Sequence, residues 1–345
     1  MKMKAAILRT TSAQRPFSVS KPLSIEEVEL DPPKRGEVLI KVKAVGLCHS
    51  DLVAITGERA KPMPIVIGHE AAGIVEEIGQ DVQGFAVGDH VVPSYVASCG
   101  RCEMCSVGRP ALCEPATIAN ANAVLKDGTT RLRQGSTRIH HHSGVAGFAE
   151  YSVIPEEALV QIDKSVPFEH AALFGCGVVT GVGSVINTAQ AKPGQFIAVV
   201  GLGGVGLSAV LAALAIGSGK VLALDLSEEK LAFARELGVH HALNAGDADV
   251  QAQIAALTGG GVHIAIETAG SNRALQMAYD ITRRGGTTVT AGMPGPEAEI
   301  TLSHLKIAAE ERSIKGSYMG SCVAKRDIPR YLTMFQNGSL PVDKL

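Results

Sequence analysis

The stretch from Phe196 to Asp225, FIAVVGLGGVGLSAVLAALAIGSGKVLALD, constrains the fold more than any other part of the chain. Phe196–Val200 is a short apolar run of the kind a buried parallel strand carries. Gly201, Leu202, Gly203, Gly204, Val205 and Gly206 follow, and an Ala/Leu-rich segment then reads as a helix from about Leu207 to Ile216. Gly217 and Gly219 end that helix, and a second apolar strand, Lys220 to Leu224, finishes at Asp225. Strand, glycines, helix, strand and acid, in this order, form the dinucleotide-binding pattern. The glycines permit a tight turn and close backbone approach, and the helix N-terminus faces a pyrophosphate. An acid about 20 residues further on takes the ribose hydroxyls. An acid in that place repels a 2′-phosphate, which favours NAD over NADP. The apolar run is long enough to raise the question of a membrane span. Its glycines and the absence of flanking basic clusters argue for a buried strand and helix.

The 345 residues suffice for two domains, each with its own core. A formal net charge of −2 implies neither a nucleic-acid nor an anionic-membrane partner. The start, MKMKAAILRT, lacks the apolar stretch of a signal peptide, so a cytoplasmic protein is expected.

The seven cysteines are odd in number and tightly clustered, which points to metal binding before disulfides. Cys99, Cys102 and Cys105 make two CxxC steps with a shared member, and Cys113 follows. Four thiolates satisfy tetrahedral zinc with no open position, the structural type of site. The same donors also suit an iron–sulfur cluster.

Earlier in the chain, Val38–Val45 alternates as a strand after the Pro32–Gly36 turn and leads to Cys48-His49-Ser50-Asp51. A polar loop with Gly57, Pro62 and Pro64 is expected next. Gly68-His69-Glu70 then opens GHEAAGIVEEIG, with a hairpin-like return through Gly88-Asp89-His90-Val91-Val92. These motifs, with the four-cysteine lobe, FGCGVVTG and GLGGVG with its Asp, run from about residue 36 to 320. Together they resemble the zinc-containing medium-chain alcohol dehydrogenases.

The resemblance implies an α/β fold, with a Rossmann doubly wound parallel sheet beside a mainly β, GroES-like catalytic domain. The catalytic domain is expected over residues 1–176, with a zinc lobe at 94–116, and the NAD-binding domain over 177–318. Residues 319–345 are expected to return to the catalytic domain, stopping short of the few dozen further residues usual in the family. The resemblance also implies two zinc ions per subunit. Cys48, His69 and Cys176 match the ligands of a catalytic zinc that keeps a fourth position open for water or alcohol. Cys99, Cys102, Cys105 and Cys113 match the structural site, which favours zinc there over a cluster.

By matched position, Ser50 hydrogen-bonds the alcohol oxygen and starts proton removal, and Asp51 orients the His69 ring. Glu70 lies close behind the metal. Thr180 packs on the nicotinamide, His49 meets the pyrophosphate, and Lys230 and Arg273 are cofactor contacts. Tyr95, His142, Ser143 and Met293 line the substrate pocket with Ser50. One departure is Val53, which stands where well-known members carry a relay histidine, so the proton passes to water or to His49.

The segment between Cys113 and Phe148, including His140-His141-His142, is polar, glycine-bearing and longer than a connection needs to be, and reads as a long loop. In the family such an insertion marks the typically dimeric branch, so a homodimer is expected. Beyond Asp225, Ser227-Glu228-Glu229-Lys230 opens a helix that runs to about Leu237, His263–Glu267 and Thr287–Ala291 read as further strands, and Cys322 is an inert thiol.

The expected activity is oxidation of primary or aromatic alcohols to aldehydes with hydride transfer to NAD. Two alternatives stand beside it. One is the glutathione-dependent formaldehyde dehydrogenase branch, whose acid-bearing segment before GHE is not evident in Gly57–Pro64. The other is a non-catalytic dinucleotide-binding relative, which loss of the metal ligands would mark; here all three are present.

Overall fold

Lys2–Leu8 (KMKAAIL) sends Met3, Ala5 and Ile7 inward and leaves Lys2 and Lys4 outside, the period-two signature of a half-buried strand. In the computed structural model, which describes residues 1–345, this strand pairs antiparallel with Leu23–Leu30 and helps close a small barrel. The barrel continues through Leu132–Gln134, Thr137–His141 and Ile65–Val66. Beside it lies a five-stranded sheet in the order Leu159–Ile162, His90–Pro93, Glu70–Ile78, Glu37–Gly46, Tyr151–Pro155. Val38, Ile40, Ala71, Val75, Val91 and Ile154 from four of these strands share one core cluster. These elements belong to a first unit made of Met1–Cys176 and Val323–Leu332.

The second unit comprises Gly177–Cys322 and Thr333–Leu345. Its sheet is wholly parallel, with six strands in the order His241–Asn244, Lys220–Asp225, Phe196–Val200, Val262–Glu267, Thr282–Thr290, Ser313–Gly316. Numbered along the chain this is 3-2-1-4-5-6, the dinucleotide-binding topology. The central strands are near-continuous apolar runs because helices cover them, and Ala198, Val200, Leu222, Leu224 and Ala265 are buried in one cluster with Ile254 and Ala278. The apolar stretch after residue 196 is therefore a strand and a helix of this sheet. No helix of the chain is long and apolar enough to cross a membrane.

Three segments differ from the sequence reading. The helix after the glycines begins at Gly204 and ends at Ala215, so Gly204 and Gly206 lie inside it. The polar loop expected after Asp51 begins instead as a helix, His49–Thr56, with Cys48 as N-cap and Gly57 as a left-handed C-cap. The presumed long loop is structured: Glu114–Ala121 is helical, and Leu132–Gln134 with Thr137–His141 completes the barrel.

A buried ion pair ties that insertion down. Arg131, 1% exposed, donates through both Nε and Nη2 to the Glu37 carboxylate, with 2.8 Å for the Nε bond, and its Nη2 also reaches Asp127 at 2.8 Å. Removing one partner would leave a charge stranded in the interior. Glu37→Leu should therefore lower the unfolding free energy by about 3–5 kcal/mol in a urea titration. A loss under about 1 kcal/mol would show that the insertion is held by other contacts.

Candidate active site

Strand register builds the first cluster. Glu37–Gly46 and Glu70–Ile78 pair antiparallel, and their final partners are Gly46 and Glu70. The residues just past the end of one strand and just before the other, Cys48 and His69, thus emerge side by side. Gly46 leaves room here: a Cβ would stand 2.6 Å from Glu70 Oε2, so the Glu70 carboxylate would have to move. The helix Phe168–Leu173 packs on these strands and delivers Cys176. Cys48, His69, Glu70 and Cys176 accordingly offer ligand atoms all within 4.8 Å of one another.

The sulfur spacing tests whether a metal fits. Cys48 Sγ and Cys176 Sγ are 3.9 Å apart. Two thiolates at about 2.3 Å from a tetrahedral zinc stand about 3.8 Å apart. A disulfide would need about 2.05 Å. The hydrogen bond from Cys176, with His69 beside it, pulls the Cys48 thiol down to about 3 against the cost of burial. Burial alone would depress His69, yet its bonds to Asp51 and the Cys48 sulfur outweigh this and raise it to about 10. Thiolate and imidazolium thus pair at a buried point where the ligand atoms of Cys48, His69, Glu70 and Cys176 lie within 4.8 Å of one another, and a divalent cation would bind by displacing the imidazolium proton. Zinc fits this donor set.

Asp51 organises the cluster from behind. It is fully buried, and every oxygen is engaged. Oδ2 accepts from the Cys48 backbone N–H at 3.1 Å, which fixes the start of the helix 49–56. Oδ1 accepts from Gly68 N at 3.0 Å, from His69 Nδ1 at 3.3 Å and from His142 Nδ1 at 3.1 Å. Burial opposes the charge, but the bonds from His142 and His69 outweigh it and hold the carboxyl well below its ordinary range. With its proton on Nδ1, the His69 ring offers Nε2 to the metal.

Other expected residues distribute unevenly. Ser50 is half-buried with Oγ 3.7 Å from Cys48 Sγ, whereas His49 is exposed on the same helix. Tyr95 meets the His69 ring edge-on at 5.7 Å. Ser143 sits in a left-handed turn at φ 54°. His142, assigned to the pocket lining by matched position, is also a direct partner of Asp51, a role that its place in a polar triplet gave no sign of. Its burial pushes it below the usual histidine range in spite of Asp51.

The four remaining metal candidates also converge. Cys99, Cys102, Cys105 and Cys113 lie within the same 4.8 Å limit, with Cys102 and Cys113 sulfurs 3.9 Å apart. Backbone N–H groups of Cys99 and Cys102 point at the sulfurs of Cys113 and Cys99, at 3.2 and 3.3 Å. Bonds from the backbone N–H groups of Arg101 and Cys102 help hold the Cys99 thiol down at about 6. Four sulfurs with no further donor would suit a closed, structural zinc site.

In the second unit, Gly201 turns at φ 95°, and a Cβ on Gly206 would stand 1.8 Å from Gly201 O. Added Cβ atoms on Gly203 and Gly204 would meet nothing within 4 Å, so this side of the turn is an open cradle at a helix N-terminus. Val205, in the first turn, lets its carbonyl approach Gly181, where a Cβ would clash at 2.2 Å. Asp225 Oδ2 accepts from Leu202 N at 2.7 Å and Oδ1 from Ser227 N at 3.0 Å, so the acid is fixed against the glycine turn. Lys230 Nζ is 3.7 Å from Asp225. Arg273 is exposed in the first turn of the helix Asn272–Asp280, Thr180 is buried in the helix Gly177–Gly183, and Met293 is 52% exposed. Cys322 is buried, its S–H directed at Val179 O.

Known proteins resemble this chain over nearly its whole length. Residues 34–164 match the alcohol dehydrogenase GroES-like domain, and residues 204–337 match the zinc-binding dehydrogenase family. An S-(hydroxymethyl)glutathione dehydrogenase of Synechocystis sp. is 35% identical over 328 residues, 94% of this chain and 89% of that protein. An alcohol dehydrogenase zinc-binding domain protein from Burkholderia ambifaria superposes with a TM-score of 0.94 at 34% identity, covering 100% of this chain and 91% of the other. Benzyl alcohol dehydrogenase from Acinetobacter calcoaceticus gives 0.93 at 33% identity, with 100% and 92% covered.

The two cysteine clusters predict separable metals. The purified chain should contain about two zinc ions per subunit by elemental analysis. Cys176→Ser should retain one and keep its thermal midpoint, whereas Cys105→Ser should lose the other and expose the segment 99–113 to proteolysis. Retention of both metals in either variant would remove that cysteine from the ligand set.

Proposed function

We propose that this chain, which belongs to the zinc-containing medium-chain alcohol dehydrogenases, oxidises primary and aromatic alcohols to aldehydes with NAD. The observation that carries the reading is the convergence of Cys48, His69 and Cys176 at a spacing suited to zinc, in a chain that also carries the glycine turn and Asp225. When bound, zinc supplies the Lewis acidity that makes an alcohol acidic near neutral pH, and the nicotinamide accepts the hydride.

The chain's own residues divide the remaining work. Cys48, His69 and Cys176 hold the metal and leave a fourth direction open, and Asp51 keeps the His69 proton on Nδ1. Ser50 Oγ, beside Cys48, takes the proton from the substrate hydroxyl. With Val53 in place of a histidine, release beyond Ser50 goes to water or to exposed His49. Glu70 lies behind the sulfurs. The cradle at Gly203 and Gly204 holds the pyrophosphate, with Leu202 and Val205 flanking it. Asp225 and Lys230 face the adenosine ribose, Thr180 the nicotinamide, and Arg273 the cofactor. Tyr95, Ser143 and Met293 contribute to the substrate pocket. The edge-on Tyr95 ring supports an aromatic substrate, as does the likeness to a benzyl alcohol dehydrogenase. The similarity to an S-(hydroxymethyl)glutathione dehydrogenase supports the second reading and places that substrate in the test.

A homodimer accompanies this reading. Ser313–Gly316 is the sheet's edge strand, exposed throughout, and Ile314, Leu305 and Ile307 are exposed apolar residues nearby. An unpaired edge with apolar side chains is an association surface.

Three outcomes test the reading. Benzyl alcohol with NAD should give aldehyde and reduced nicotinamide, and a chelator should abolish turnover. No turnover of any primary or aromatic alcohol, alongside activity on S-(hydroxymethyl)glutathione, would move the protein to the other branch. Because a buried like charge at the 2′-phosphate is costly, NADP should be at least about tenfold poorer, and Asp225→Ser should narrow that gap. Equal use of NAD and NADP by the unaltered enzyme would overturn the role of Asp225. Sedimentation should show a dimer that Ile314→Lys converts to monomer; a wild-type monomer would overturn the edge-strand interface.

A further inference from the structure

The triplet His140-His141-His142 has three different fates. His140 is half-buried, its backbone N–H bonded to Pro64 O. His141 is fully buried, and its Nε2 accepts from the Arg131 backbone N–H at 3.1 Å, a structural tie inside the barrel. His142 alone faces the metal ligands: its ring stands edge-on to His69 at 5.1 Å and its Nδ1 is 3.1 Å from Asp51 Oδ1.

The polarity of that bond follows from chemistry. A carboxylate can only accept, so the His142 proton lies on Nδ1 and the Nε2 lone pair is bare. Nε2 makes no hydrogen bond within the protein. A bare acceptor on a buried ring packed 5.1 Å from the His69 ring costs free energy unless water or a ligand donates to it. The surroundings keep it an acceptor. Burial disfavours a second proton against the pull of Asp51, while Lys61 is tied to Asn120 O at 2.9 Å. Asn120 in turn donates to Tyr95 O at 2.8 Å, so the tether of Lys61 and the pocket residue Tyr95 belong to one bonded frame.

We propose that His142 is a specificity-determining residue, whose Asp51-fixed ring presents Nε2 to a second hydrogen-bond donor on the substrate. The favoured substrates are then alcohols that carry a hydroxyl or amide N–H close to the carbinol, and not plain hydrocarbons. This rests on the reading of the cluster as an alcohol-oxidising site.

The test compares each ring isomer of hydroxybenzyl alcohol with its own methyl ether in the zinc-loaded enzyme with NAD. One hydroxy isomer should exceed its ether by about tenfold or more in kcat/KM, expressed mainly in KM, a discrimination that one hydrogen bond supplies. His142→Asn keeps an amide donor toward Asp51 but has no acceptor at the Nε2 position; it should retain zinc and bring the ratio to about one. His142→Gln, whose amide reaches that position, should restore part of the preference. Nitrogen-15 NMR of the imidazoles should report the Nδ1–H tautomer for His142 independently of turnover. Ratios near one for all isomers in the wild-type enzyme, an undiminished ratio in His142→Asn, or the Nε2–H tautomer would each overturn the proposal. If benzyl alcohol is oxidised while the ratios are flat, only this inference falls. If no alcohol is oxidised, the reading of the site falls with it.

Discussion

The Asp51 carboxylate is the interaction on which the first unit's site depends. A charge with no exposure to water is costly, and it persists here because four donors reach it from three separate parts of the chain. Those donors fix the start of the helix 49–56, the turn before the strand Glu70–Ile78, and the rings of His69 and His142. One carboxylate therefore sets backbone positions and imidazole tautomers together. Cys48 and His69, two of the candidate metal donors, gain their direction from it.

Around that centre, the backbone makes the approach possible. The register that ends at Gly46 and Glu70 brings the first cysteine and the histidine to the same end of the sheet, and Gly46 leaves room for the Glu70 carboxylate to cross. In the second unit a comparable economy appears at Gly201 and Gly206, where a side chain would strike Ala269 and Gly201 O respectively, while Gly203 and Gly204 leave their outer side clear. Glycines of the same motif thus serve two purposes, internal packing and ligand approach. Only the surrounding atoms tell them apart.

Much of this was legible in the chain itself. The strand–glycine–helix–strand–acid order from Phe196 to Asp225 is local, so its elements appear where the sequence implies them, with the helix beginning a few residues earlier because its first turn is made of the glycines. The four-cysteine spacing is equally local. The segment between Cys113 and Phe148 was not legible, because its strands are short and owe their existence to partners far away. Leu132 pairs with Leu30 and His140 with Ile65, and the buried Arg131–Glu37 pair spans much of the unit. The short helix after Cys48 is illegible for a related reason: the carboxylate at its start, Asp51, also takes donors from Gly68, His69 and His142.

The sequence by itself determined the nucleotide-binding topology and the four-cysteine spacing, since these rest on residue type and short spacing, whereas Cys48, His69 and Cys176, far apart in the chain, were singled out only by the family resemblance. The tertiary structure decided how the donors are aimed and what stands behind them. Asp51 became shared between two histidines, and His142 became both a neighbour of the metal ligand and an acceptor with a fixed tautomer. Hydrogen-bond direction at a buried carboxylate depends on which distant groups folding brings within 3.3 Å, and no local pattern encodes that distance.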